Sequence, residues 1–164
     1  MKLKWDFSEW LEFADRLVDA TEFDKHMKLA TQKLAKKLHT MLIQNTPVDF
    51  GTLQTFWRTD ENYSYMVTQT NTGFEVTLIN RAIYALWVND GHKQRVGRFI
   101  PGYWEGKHFR YDPNADEGMV LKKPWVKGRF FVEKSILMVE NSDSINKIIE
   151  KELNQWFRWC VSGK

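Results

Sequence analysis

Residues Thr21–Leu53, TEFDKHMKLATQKLAKKLHTMLIQNTPVDFGTL, decide how this chain is built. Phe23, Met27, Ala30, Leu34, Leu38 and Leu42 recur every three or four residues, flanked by Ala35 and Met41, while Lys28, Lys33, Lys36 and Lys37 face outward. That spacing marks an amphipathic helix. Thr21 reads as its cap, with Glu22 and Asp24 in the first turn, where the helix dipole favours negative charge. Pro47 disfavours helical geometry at Thr46, so the helix is expected to end near Asn45. It would be about 24 residues long, roughly 36 Å at 1.5 Å per residue, and would need a broad surface to lie across. The segment that follows, Pro47 to Leu53, is turn chemistry: Asp49 can close an Asx turn and Gly51 can take a positive φ, making a corner from helix to sheet.

On the N-terminal side, Asp6 followed by Glu9, or Ser8 itself, caps a shorter helix through Trp10, Leu11, Phe13, Ala14, Leu17 and Val18. On the C-terminal side lies the expected broad surface. Tyr63–Gln69 alternates and is rich in β-formers, Asn71-Thr72-Gly73 is a turn, and Phe74–Asn80 alternates again, which predicts a hairpin. Ile83–Val88 is short and continuously apolar, a pattern that fits strand or helix equally, and Asn89-Asp90-Gly91 ends it by a turn. Residues 92–111 mix Gly97, Pro101, Gly102 and Gly106 with Val96, Phe99, Ile100, Tyr103, Trp104, Phe109 and Tyr111. So many aromatics predict an ordered, protruding loop or hairpin across about 92–125. After Gly128, Arg129–Met138 reads as helix, Asn141-Ser142-Asp143 interrupts or caps it, and Ile145, Ile148, Ile149, Leu153, Trp156 and Cys160, with Phe157 alongside, mark a final amphipathic helix. The expectation is an α+β fold, long amphipathic helices packed on a small, mostly antiparallel sheet, in a single domain over 1–164. Its zones are helical over 7–46, sheet over 60–126 with the inserted loop, and helical over 128–160.

The chain's 164 residues suffice for one core without disulfides or a structural metal. The net charge of +3 is small, so the whole-protein field demands no acidic partner. Its distribution says more: residues 92–134 hold ten Lys/Arg against five Asp/Glu, which leaves the remainder at −2. A lone cysteine, Cys160, within an apolar helical stripe reads as a buried, inert thiol. The N-terminus has no apolar run of signal-peptide length and no stretch is long enough to span a membrane, so a cytoplasm-like compartment, or release from one by lysis, is expected.

Candidate chemistry is sparse. His92, His108 and Asp112 match no zinc spacing. Asp112–Gly118 imitates a calcium loop at positions 1, 3 and 5, but glycine falls at position 7 and Lys123 stands where a bidentate glutamate is required, so an Asx or Pro turn is the better reading. His26 and His39 read as surface or edge residues of the long helix, with no nucleophile motif beside either. Glu9, Glu12, Asp15 and Asp19 form a solvated helical face. No nucleophile elbow, zinc-protease or phosphate-loop motif occurs, and the expectation is a non-enzymatic protein without metal or cofactor. Lys93, Arg95, Arg98, Lys107 and Arg110 interleave with Phe99, Tyr103, Trp104, Phe109 and Tyr111, a mixture that could contact phosphates and stack bases. The same mixture is enriched at protein interfaces, and the interface reading is preferred.

The order of these segments resembles the tailed-bacteriophage neck or tail-completion family typified by gene product ten of the lambdoid phage HK ninety-seven. The resemblance covers roughly residues 25–155. Its first element is Pro47-Val48-Asp49-Phe50-Gly51-Thr52-Leu53 after the helix, and its second is Tyr84-Ala85-Leu86-Trp87-Val88-Asn89-Asp90-Gly91 after the hairpin. Pro47, Asp49, Gly51, Leu53, Tyr84, Ala85, Val88 and Gly91 carry the match. Val96–Ile136 is similar to longer members from prophages of Gram-positive bacteria. Phe50 departs from the family's usual Thr, and Asn89 from its frequent Glu. The resemblance implies a virion structural protein in the tail or neck, assembled in the host cytoplasm as a homo-oligomeric ring, commonly sixfold, at the head–tail junction. Its implied partners are neighbouring neck, tail-terminator or tail-tube proteins. Arg95, Arg98, Phe99, Tyr103, Trp104, Phe109, Arg110 and Tyr111 are the candidate subunit interface. The competing expectation is a phage-encoded DNA-binding accessory protein using residues 92–111.

Overall fold

The computed structural model describes residues 8–49, 51–58 and 67–163. The described elements are helices α1 (Ser8–Leu17), α2 (Ala20–Asn45) and α3 (Thr52–Arg58), strands β1 (Val67–Thr70) and β2 (Gly73–Val76), and helix α4 (Ala85–Asp90). Strands β3 (Gly91–Lys93), β4 (Phe99–Glu105), β5 (His108–Tyr111), β6 (Gly118–Val120) and β7 (Trp125–Lys127) follow, then helices α5 (Phe131–Glu140) and α6 (Ser144–Ser162). The fold is α+β, as expected, but the strands form three separate antiparallel sheets: β1-β2, β3-β7 and β5-β4-β6. Two compact units emerge, each made of discontinuous segments.

The first unit combines Met1–Met41, Asp60–Leu78 and Ile136–Lys164. Within it, α2 is capped two residues earlier than its sequence suggests: the Asp19 carboxylate accepts the Thr21 N–H at 2.9 Å, satisfying a donor the helix start leaves open. Phe23 meets Trp156 of α6 edge to face at 5.2 Å, and Phe13 of α1 meets Phe157 at 6.2 Å. Arg16 Nε donates to the Cys160 carbonyl at 2.6 Å, a cation at the last turn of α6 where the helix dipole welcomes it. Cys160 itself is fully buried, and burial pushes its thiol pKa up, so it sits as an inert core residue. Two polar residues on these helices are buried. His39, expected at the surface or an edge, is 2% exposed, and Glu152, on the apolar stripe of α6, is fully buried. Glu152 accepts from Lys33 Nζ and pairs with His26 Nδ1 at 3.2 Å, both on α2.

The hairpin falls where its turn chemistry predicts, with Asn71-Thr72 between Thr70 and Gly73 and Val67 opposite Val76. Its second strand stops at Val76 instead of reaching Asn80. Tyr63–Met66 of the expected first strand, and Asp6, lie outside the described residues.

The second unit combines Leu42–Thr59 and Ile79–Ser135. Thr46 ends α2 by folding its hydroxyl back onto the Leu42 carbonyl at 2.5 Å, and Pro47 then prevents continuation. The corner at 47–53 leads into α3 and not into a strand; Gly51 takes φ +80° and its carbonyl accepts the Thr55 N–H at 2.9 Å. Leu53 and Trp57 of α3 are buried. Ile83–Val88, open between strand and helix by sequence, carries most of α4. The 92–125 insert is strand-rich, and at its far end the Asp112 carboxylate accepts the Asn114 N–H at 2.9 Å, the Asx turn that the failed calcium pattern suggested.

A candidate assembly surface

The two motif segments converge inside the second unit. Pro47, Asp49, Gly51, Leu53, Tyr84 and Val88 line one cleft of about 690 Å³ together with Lys107 and His108 of the β4–β5 turn region and Arg129. Leu53 anchors the floor from α3, and Asn80 holds that helix by donating to the Leu53 carbonyl at 2.9 Å. Asp49 carries out a different task from the one its position suggests: its carboxylate pairs with His108 Nδ1, tying the 47–53 corner to β5. Both partners are about half exposed or more, so water screens the pair and its contribution to stability is small.

The second motif works through its last three residues. Asn89 is 6% exposed, and its Oδ1 accepts the Val132 N–H at 3.0 Å, capping α5 from a remote segment. Its Nδ2 donates to both Glu133 oxygens at 3.0 Å and to Asp90 at 2.7 Å. Its carbonyl accepts the N–H of Phe130, which holds φ +52° just before α5 begins. Gly91 then leaves α4 at φ +84° into β3, where a Cβ would lie 2.3 Å from the Val126 carbonyl oxygen of β7. Only glycine permits that approach. Tyr84 and Trp87 are 38% and 56% exposed, and Trp87 rests on the His92 ring at 6.0 Å.

The three-stranded sheet presents side chains on both faces. Directly opposite residues of an antiparallel pair share a face. One face therefore carries Tyr103 opposite Arg110, Phe99 opposite Val120, and Glu105 opposite His108; Arg110 Nε donates to Glu105 at 2.7 Å on this face. The other carries Trp104 opposite Phe109 and Tyr111 opposite Gly102, with Trp104 edge-on to Phe109 at 5.4 Å. Phe99, Tyr103, Trp104 and Tyr111 are 50–66% exposed, whereas Phe109 is half-buried. Arg95, Arg98 and Arg110 are exposed beside them. The unit as a whole holds twelve Lys/Arg against seven Asp/Glu, a net +5, which leaves −2 on the first unit. The surface can thus bury aromatic area and attract anionic groups. Among the described residues no cluster of His, Cys, Asp and Glu could hold a metal ion, and no helix is long and apolar enough to cross a membrane.

Most of the expected site residues come together here, six of the motif residues in the cleft and the aromatics on the sheet; Ala85 and Gly91 lie outside the cleft lining. Sequence reasoning missed Lys107, His108 and Arg129 as cleft residues, because the pairing that brings them to the 47–53 corner is long-range. It also assigned Asn89 too small a role. The available signal was an Asn in a turn, a residue type that satisfies donors and acceptors at once.

Residues 11–91, which contain both motifs, match the HK97-gp10-like family, described as "Bacteriophage HK97-gp10, putative tail-component". Over 78 residues the chain is 40% identical to the phage-like element PBSX protein XkdI of Bacillus subtilis (strain 168), covering 46% of this chain and 47% of that protein. Over 115 residues it is 33% identical to the uncharacterized protein YqbI of the same organism, covering 63% and 64%. The chain thus spans between about half and two-thirds of the length of these curated relatives. No solved structure matches it.

Proposed function

We infer, from a chain related over residues 11–91 to the HK97-gp10-like tail-component family, that this protein is a structural subunit of a phage or prophage particle. In this reading it forms a homo-oligomeric, sixfold ring at the head–tail junction, as a neck, tail-completion or tail-terminator component, and has no catalytic role. The relative named as a protein of the phage-like element PBSX supports a particle of prophage origin. One observation carries the assembly reading: the β5-β4-β6 sheet keeps exposed aromatic side chains on both faces, with arginines at its edges. Antiparallel sheets of monomers ordinarily pack at least one face on a core, and aromatics with Arg are enriched where subunits meet. A sheet open on both sides can receive different neighbours on each, and identical subunits meeting head to tail close into rings. The neighbours in this reading are further copies and the adjoining neck, terminator or tail-tube proteins.

The test is genetic and structural. Deleting the gene should leave filled heads and tails unjoined in lysates, and purified wild-type particles should contain the chain as a ring at the neck. Intact particles from the deletion strain, lacking the chain, would overturn the proposal.

The net +5 of the second unit favours a second reading, a DNA-binding accessory protein. It predicts tight duplex or single-strand binding that weakens steeply between 50 and 200 mM salt. Salt-independent or undetectable binding counts against it.

A further inference from the structure

The charge of this chain is divided by sign between its two units, +5 on one and −2 on the other. Complementary surfaces on different parts of one chain suit a head-to-tail contact between copies, because each copy offers one of each. The basic partner is the face of the three-stranded sheet that carries Phe99, Tyr103 and Val120, exposed by 50%, 50% and 51%. Arg110 lies opposite Tyr103 on this face, where its Nε also donates to Glu105 at 2.7 Å, and with His108 opposite Glu105 and the exposed Lys107 in the adjoining turn the basic groups outnumber that one carboxylate.

The acidic partner is on α1. That helix turns Phe13 onto Phe157 of α6, so Leu11, Asp15 and Val18, spaced i, i+4 and i+7, project on the opposite side. Leu11 is 66% exposed and Val18 80%, and Glu12 flanks the stripe with 71% of its side chain in solvent, tied loosely by a 3.7 Å approach to Arg16 that water screens. An apolar stripe with two carboxylates is a surface that should meet aromatic rings and cations. Size agrees as well. The seven residues of β4 run roughly 23 Å at 3.3 Å per residue, and the ten residues of α1 roughly 15 Å, so the helix fits along the strand.

We propose that α1 of one copy docks through Leu11, Asp15 and Val18 on the Phe99–Tyr103 face of the sheet of a second copy, with Glu12 and Asp15 facing Lys107 and Arg110. This rests on the reading of the chain as a self-assembling subunit and adds which two surfaces meet. The opposite face of the sheet, with Trp104 and Tyr111, stays available to another neighbour. Because the two patches differ, the contact is heterologous, and every copy in a closed ring uses both.

Charge exchange tests it on the full-length chain by sedimentation velocity at low salt. One variant carries Glu12→Lys with Asp15→Lys, the other Lys107→Glu with Arg110→Glu. Each alone should weaken self-association at least tenfold. An equimolar mixture of the two should recover the wild-type mass, since each then offers a surface the other can match, and a misfolded variant could not be rescued this way. Oligomers that persist through both exchanges, or that are lost without recovery on mixing, overturn the docking while leaving the ring reading intact. A wild-type chain that stays monomeric and is absent from particles overturns both.

Discussion

Asn89 shows how much one side chain can organise. Its amide offers an acceptor and two donors, and all are used: the acceptor by the first turn of α5, the donors by Glu133 and Asp90. A glutamate, frequent at this position in the family the chain resembles, would place a third carboxylate beside these two and repel them, which gives the substitution a physical reason. Removing the amide leaves the Val132 N–H at the start of α5 without its cap and takes a donor from two exposed carboxylates, Glu133 and Asp90. Asn89→Ala should therefore cost about 1–2 kcal/mol, read as a lower urea midpoint with unchanged slope. Asn89→Asp keeps the acceptor for Val132 yet faces Glu133 with like charge, so it should recover only part of that loss, and recover more of it as pH is lowered toward the carboxylate range.

At the scale of elements, the pairing of α2 with α6 depends on a buried charge. Burial alone would push the Glu152 carboxyl up, but its hydrogen bonds and proximity to Lys33 and His26 hold it below the usual glutamate value. A carboxylate with a depressed folded pKa contributes its stability fully above the unfolded value, about 4.3, and loses it as pH falls through the folded one. The first unit should thus lose stability on acidification through that window. Glu152→Gln should flatten this acid dependence, measured by thermal unfolding between pH 3 and 7, while costing about 1–3 kcal/mol at neutral pH. The lower end of that range reflects Lys33, whose side chain is 44% exposed and screened by water. The pair was partly legible: Glu152 falls on the apolar stripe four residues before Trp156, and His26 and Lys33 lie seven residues apart on one helix face. What the pattern could not show is that these faces meet.

For the whole molecule, exposure separates residues that hold the fold from residues left for partners. Phe109 is half-buried and packs under Trp104, while Trp104 is 59% exposed. Trp104→Ala should change the unfolding free energy by less than about 1 kcal/mol but remove a large aromatic contact, so incorporation into particles should fall with the monomer still folded. Phe109→Ala should lower stability as well as assembly. Circular dichroism melts of the purified variants, set beside their content in particles, distinguish the two effects.

The sequence by itself determined the long helices α1, α2, α5 and α6, the α+β class and the two motifs, because helical periodicity, capping and proline act within a few residues of one another; the short helix α3, where a corner into a sheet was expected, it did not. It placed the end of α2 near Asn45 and the turn of the first hairpin at Asn71 for the same reason. Short apolar runs such as Ile83–Val88 stayed open, since period and length fit two states and only packing chooses between them. The joining of Asp49 to His108, of Asn89 to α5, and of both motifs to one cleft was decided by tertiary structure alone. These contacts link residues 43 to 59 positions apart, and nothing local in the sequence records which distant partner will satisfy a given polar group.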